Sequence, residues 1–125
     1  MNCCSSWILY GRYQDGKHFS DEDVGSLLDK LNEAAYTYYS SGAYDRYLCT
    51  FTTVYWSSYE EVINIVKELS RAIPDAVFCL EYHNTDQDVE YGAYQRIYFK
   101  NGLCEKVVGH VVYDAPKTIP YYDVP

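Results

Sequence analysis

The sequence predicts an α+β fold, a two-layer sandwich in which a mixed five-stranded sheet carries two helices on one face. Three observations predict it. Two stretches of apolar residues at helical spacing, near 21–39 and 59–73, each open on a capping pattern. Five runs rich in β-branched and aromatic residues surround them in the order β-α-β-α-β-β-β. The chain has 125 residues, 48% hydrophobic and 22% charged, enough for one core and too few for two ordinary domains. With only two helices, the second sheet face is left to a partner or to the tail.

The elements follow in order. Residues 7–13, with Trp7, Ile8, Leu9, Tyr10 and Tyr13, suit an extended, half-buried strand. Gln14-Asp15-Gly16-Lys17 is turn chemistry. Ser20 then caps a helix whose first turn, Asp21-Glu22-Asp23, favours the positive end of the helix dipole. Val24, Leu27, Leu28, Leu31, Ala35 and Tyr38 share one face, and Ser40-Ser41-Gly42 sets the end near Tyr39. Residues 46–56 read as one strand, because Tyr47, Cys49, Phe51, Thr53 and Tyr55 alternate with Leu48, Thr50, Thr52, Val54 and Trp56.

A second helix starts at Ser57 with Glu60, or Ser58 with Glu61, and lines up Val62, Ile65, Val66, Leu69 and Ile73. Pro74 ends it, lacking an amide donor and disfavouring a helical residue before it. Residues 76–83 form the third strand, 84–90 a polar loop, 91–100 the fourth strand and 103–113 the fifth, with Gly109 as a bulge. Asn101-Gly102 between the last two predicts a two-residue type I′ hairpin. The domain therefore spans 1–113, and 114–125, with Pro116, Pro120 and Pro125, is an extended tail. The β-α-β connections favour parallel strands, and the last three strands an antiparallel meander.

Composition narrows function. The chain carries 16 tyrosines against 4 phenylalanines and a net charge of −8. No apolar run reaches membrane-spanning length, and no basic stripe offers phosphates a neutralising surface. The five cysteines and three histidines show no metal-ligand spacing, no glycine-rich phosphate loop appears, and no catalytic signature is present. No cofactor and no metal are expected. Residues 1–7 lack the basic and apolar regions of a secretory leader, so the expected compartment is the cytoplasm, the host's if a phage encodes the chain.

What the charge and tyrosines suit is contact with a protein whose surface is basic. Two acidic clusters, at 21–23 and 60–61, are helix starts. The third, Asp86, Asp88 and Glu90 beside Tyr91 and Tyr94, is a candidate binding edge. A second candidate comprises Tyr36, Tyr39, Tyr44 and Asp45, since Tyr36, Tyr38 and Tyr39 cannot all face one side of a helix. Two alternatives stand beside this one. A cleft near Cys79, Glu81 and His83 would serve a small ligand or an enzyme. Sheet edges or tyrosine patches would pair in a homodimer.

Residues 48–104 also carry Phe51-Thr52-Thr53-Val54-Tyr55-Trp56, then a helix, then Ala72-Ile73-Pro74-Asp75-Ala76-Val77-Phe78, Leu80-Glu81-Tyr82 and a hairpin bounded by Gly92 and Gly102. In this order they resemble the YubB-type ferredoxin-like family of plasmid and phage proteins. The resemblance implies a ferredoxin-like layer of sheet and helices and an origin in a mobile element, and it implies no activity. Several anti-CRISPR proteins are similar in size and charge and occupy nucleic-acid sites on basic effectors. By that class analogy the expected function is non-enzymatic binding and inhibition of a host defence effector.

Overall fold

The computed structural model describes residues 5–35, 44–51, 59–84, 94–108 and 116–120. Its elements are β1 (Ser5–Tyr13), α1 (Asp21–Ala35), β2 (Tyr44–Asp45), β3 (Thr50–Phe51), α2 (Tyr59–Ala72), β4 (Ala76–Asn84), β5 (Tyr94–Lys100) and β6 (Leu103–Val108). Local chemistry accounts for most boundaries. Ser20 Oγ accepts the Asp23 N–H at 3.2 Å, which caps α1. After α2, the Ala76 N–H returns to the Ile73 carbonyl at 2.9 Å around Pro74. Asn101 and Gly102 take φ of 48° and 86°, the two positive values that a type I′ turn requires.

The six strands form one open sheet in the order β2-β3-β1-β4-β5-β6. Every pairing is antiparallel, and the longest, β1 with β4, runs in register from Ser5↔Asn84 to Tyr13↔Ala76. The expected mixed five-stranded sheet therefore does not form. Both β3 and β4 lie antiparallel to β1, so the two strands joined through α2 run parallel to each other, but β1 separates them. In the same way β3 separates β1 from β2, the parallel pair joined through α1. Each crossover skips one strand, and an antiparallel neighbour fills the gap. The sixth strand is β2, just ahead of the expected 46–56 strand, and the described part of that run is a turn at 46–49 followed by Thr50–Phe51. Residues 52–56 lie outside the described residues.

Both helices cover one face of the sheet. Leu27, Leu28 and Leu31 of α1 and Val62, Val66 and Leu69 of α2 join Leu9, Phe51, Phe78, Leu80, Ile97 and Phe99 in one buried cluster. Phe19 closes the cluster from the β1–α1 connection, with its ring 5.6 Å from that of Phe78. Gly11 is needed there. A Cβ at this position would stand 2.8 Å from Phe19 and 2.9 Å from Phe78. The hairpin is tied to α2 through Ser70, whose hydroxyl donates to the Lys67 carbonyl at 2.7 Å and accepts the Gly102 N–H at 2.8 Å.

The second face is covered in part by the tail. Ile119, only 4% exposed, packs with Val77, Cys79 and Tyr98, flanked by Tyr10 and Val107. Glu105 on β6 holds this segment. Its carboxylate accepts the Lys117 and Thr118 N–H groups at 2.7 and 3.0 Å and the Thr118 hydroxyl at 2.5 Å. Residues 116–120 thus belong to the folded unit. Among the described residues, no helix is long and apolar enough to cross a membrane.

Candidate interaction surface

The start of α1 stands between two concave surfaces, and the first-turn acids reach both. On one side Tyr13, Gln14, Asp15, Asp23 and Asp75 line an open depression of about 480 Å³. It forms because the β1–α1 turn meets the α2–β4 turn, where the Gln14 N–H donates to the Asp75 carbonyl at 2.8 Å. Tyr13 braces its wall. Its hydroxyl donates to Asp23 Oδ2 and accepts the Ser20 N–H at 3.1 Å. Asp15 Oδ1 accepts the Lys17 N–H at 3.0 Å. Three aspartates therefore line one open concavity, where charge of one sign attracts cations. Among the described residues, no three His, Cys, Asp or Glu side chains come together to hold a metal ion.

On the other side Asp21, Val24, Gly25, Leu28, Tyr44 and Arg46 line a groove of about 250 Å³. Beside it the turn between β2 and β3 projects Tyr47, 92% exposed, and Leu48, 46% exposed. The turn is held from several directions. Asp45 Oδ1 accepts the N–H groups of Tyr47 and Leu48 at 2.8 and 3.0 Å. Arg46 pairs with Asp21 across the groove rim. Cys49, at φ 56°, sits in the left-handed region, and its carbonyl accepts the Gly11 N–H at 2.8 Å. A non-glycine residue there costs about 1–2 kcal/mol, so the turn is fixed by its surroundings rather than relaxed.

The residues singled out in the sequence distribute unevenly. Tyr36, Tyr39, Asp86, Asp88, Glu90 and Tyr91 lie outside the described residues. Tyr94 opens β5 opposite His83 of β4. Asp45 is exposed, and its carboxylate serves the turn as just described. Tyr44 is a correction to its reading as a partner contact. It is 7% exposed, with its ring 5.5 Å from Phe19 and 4.7 Å from Phe51. Its hydroxyl donates to the Gly11 carbonyl at 2.6 Å and accepts the Phe19 N–H at 3.3 Å. Burial pushes its phenol well above the usual range. Tyr44 is a core tie.

Of the Cys79, Glu81 and His83 alternative, Cys79 and Glu81 fall on the second sheet face. Cys79 is fully buried against Val77, Tyr98 and Ile119, and burial raises its thiol from 9.0 to about 12. A buried, protonated thiol is not a nucleophile near neutrality. Glu81 accepts the Tyr10 hydroxyl at 3.2 Å and Arg96 Nε at 3.3 Å. Burial, with Glu81 beside it, raises Tyr10 from 10.0 to about 12. His83 lies in register with Ser6 and Tyr94.

Sequence reasoning missed Tyr47, Asp15 and Asp75. Tyr47 fits strand alternation, and only Asp45 two residues earlier carries the turn signal. Asp15 and Asp75 each read as ordinary turn residues, since 60 positions of chain separate them. No family model, no curated protein and no solved structure matches this chain.

Proposed function

We propose that this chain is a binding protein that engages a partner of basic surface through the acidic end of the molecule at the start of α1. The observation that carries the reading is the depression that Asp15, Asp23 and Asp75 line beside Tyr13. The net charge of −8 adds a long-range attraction for such a partner. The partner class that fits is a protein whose exposed groove binds nucleic-acid phosphates, as in a host defence effector. In that setting the chain acts as an inhibitor supplied by a phage or plasmid, and it works in the cytoplasm. The strand order β2-β3-β1-β4 supports reading the first four strands and two helices as a ferredoxin-like β-α-β-β-α-β unit extended by a hairpin. That is the layer which the YubB-type resemblance implies.

The test is binding, first to an arginine-rich peptide as a model basic surface, then to nucleic-acid-binding defence effectors. The expected complex weakens as salt rises and is displaced by the effector's own nucleic acid. The double variant Asp15→Asn/Asp75→Asn leaves the Tyr13–Asp23 brace intact and lowers affinity by about tenfold, an electrostatic loss near 1.4 kcal/mol. Absence of any salt-sensitive complex, or equal binding by the double variant, overturns the reading.

A further inference from the structure

Residues 116–120 sit on the second sheet face in the manner of a bound peptide. The Glu105 carboxylate accepts two successive N–H groups, those of Lys117 and Thr118, and the Thr118 hydroxyl. The next side chain, Ile119, fills a socket of Val77, Cys79 and Tyr98. One carboxylate therefore reads main chain and a hydroxyl, and one socket reads an aliphatic residue, a division found in peptide recognition. Among the described residues, no main-chain hydrogen bond joins 116–120 to the sheet. Ile119 also stands apart from the cluster beneath the two helices. The segment leaves without breaking a strand ladder or opening the main core, so its release is a local event. Pro116 and Pro120 flank it, and each has a fixed φ and no N–H group to leave unpaired.

We infer that this patch is a peptide-binding site which the chain's own tail fills in cis, and that it takes an extended segment of a partner protein carrying Thr followed by an aliphatic residue when the tail is displaced. The occupant seated on the site defines that chemistry. Lys117 contributes its N–H while the residue stays exposed, so its position is open to other side chains. The Thr118 hydroxyl donates to a carboxylate at 2.5 Å, a charge-assisted bond that valine cannot make. Ile119 is closed off from water, so its position excludes charge. The tail competes with any such partner. A segment on a short tether has an effective concentration in the millimolar range, and only residues 109–115 separate this one from β6 along the chain. The tail thus sets a threshold for binding in trans. The site uses none of Asp15, Asp23 and Asp75, so it goes beyond the basic-partner reading and stands independently of it.

The test is fluorescence anisotropy of the labelled peptide Ala-Pro-Lys-Thr-Ile-Pro, copied from residues 115–120, titrated with the full chain. The parent binds weakly, because its own tail holds the site. Ile119→Asp empties the socket in cis and binds the peptide about tenfold more tightly, with a dissociation constant on the order of 0.1 mM. Adding Glu105→Gln to that variant weakens binding about tenfold, and so does Val in place of Thr in the peptide. Ala in place of the peptide's Lys changes nothing, which separates the site from general attraction of a cation to a chain of net charge −8. Unchanged circular dichroism establishes that the variants fold, and Ile119→Ser serves in place of Ile119→Asp if the latter does not. Equal binding by the parent and the emptied variant, no binding by the emptied variant at about 1 mM protein, indifference to Glu105→Gln, or dependence on the peptide's Lys overturns the inference.

Discussion

Tyr44→Phe separates a core tie from a surface contact at the position where sequence and structure differ most. The substitution removes one oxygen and leaves the ring between Phe19 and Phe51. Two backbone groups lose their partner, the Gly11 carbonyl at 2.6 Å and the Phe19 N–H at 3.3 Å. Both lie in a region closed to water, so each is left without a hydrogen bond. An unsatisfied buried polar group costs about 1–3 kcal/mol. The longer bond to Phe19 belongs at the low end, which gives a combined loss of about 2–4 kcal/mol. With a urea m-value near 2 kcal/mol/M, the unfolding midpoint falls by about 1–2 M at unchanged m. The assay is urea unfolding followed by tyrosine and tryptophan fluorescence, paired with the basic-peptide titration. The expected outcome is a large fall in midpoint and unchanged affinity. A midpoint shift under about 0.25 M, equivalent to less than about 0.5 kcal/mol, refutes the assignment of Tyr44 as a core tie.

Three further outcomes are expected. Gly11→Ala forces a methyl against Phe19 and Phe78 at under 3 Å and destabilises the chain by about 1–3 kcal/mol; an unchanged urea midpoint contradicts that packing. Glu105 is held from the usual 4.5 down to about 2, chiefly by the Thr118 hydroxyl and then by the Lys117 and Thr118 N–H groups. A depressed carboxyl contributes fully above its free value, so tail docking is complete above pH 4.5 and is lost as pH falls towards about 2. Glu105→Gln should loosen the tail at neutral pH, seen as faster tryptic cleavage after Lys117 and shifted Ile119 methyl resonances; an unaltered cleavage rate counts against the clasp. The Cys79 thiol, raised to about 12 under Ile119 and Tyr98, should resist alkylation in the native state while exposed Cys104 reacts. Rapid native modification at Cys79, read by peptide mass spectrometry, would show that this face opens.

Some features were legible in the chain because their causes lie within a few residues. The Ser20 cap, the apolar stripes from Val24 to Leu31 and from Val62 to Leu69, the Pro74 stop and the Asn101-Gly102 turn each depend on local dihedrals and local side-chain spacing. The α+β class and the two-helix count follow from these. Strand direction is another matter. Period-2 alternation is the same for parallel and antiparallel partners, so nothing near Tyr10 announces that Cys79 lies opposite it. The 46–56 run has the same ambiguity. Its alternation suits a strand, yet Asp45 captures two amides and turns the chain before Thr50.

The candidate surface was less legible than the fold, since it depends on residues far apart. Asp15, Asp23 and Asp75 share a depression only because β1 pairs with β4, which carries the two turns to the same end of the sheet. Tyr44 and Tyr47 have the same side chain three positions apart, and one is buried while the other stands in water. By itself the sequence determined the α+β class, the two helices, the Asn101-Gly102 turn and the acidic, tyrosine-rich character of the molecule. Only the tertiary structure decided which strands are neighbours, which aspartates line one depression and which tyrosines face solvent. Those outcomes rest on pairings across tens of residues, whose free energy comes from burying both partners together and leaves no mark on either segment alone.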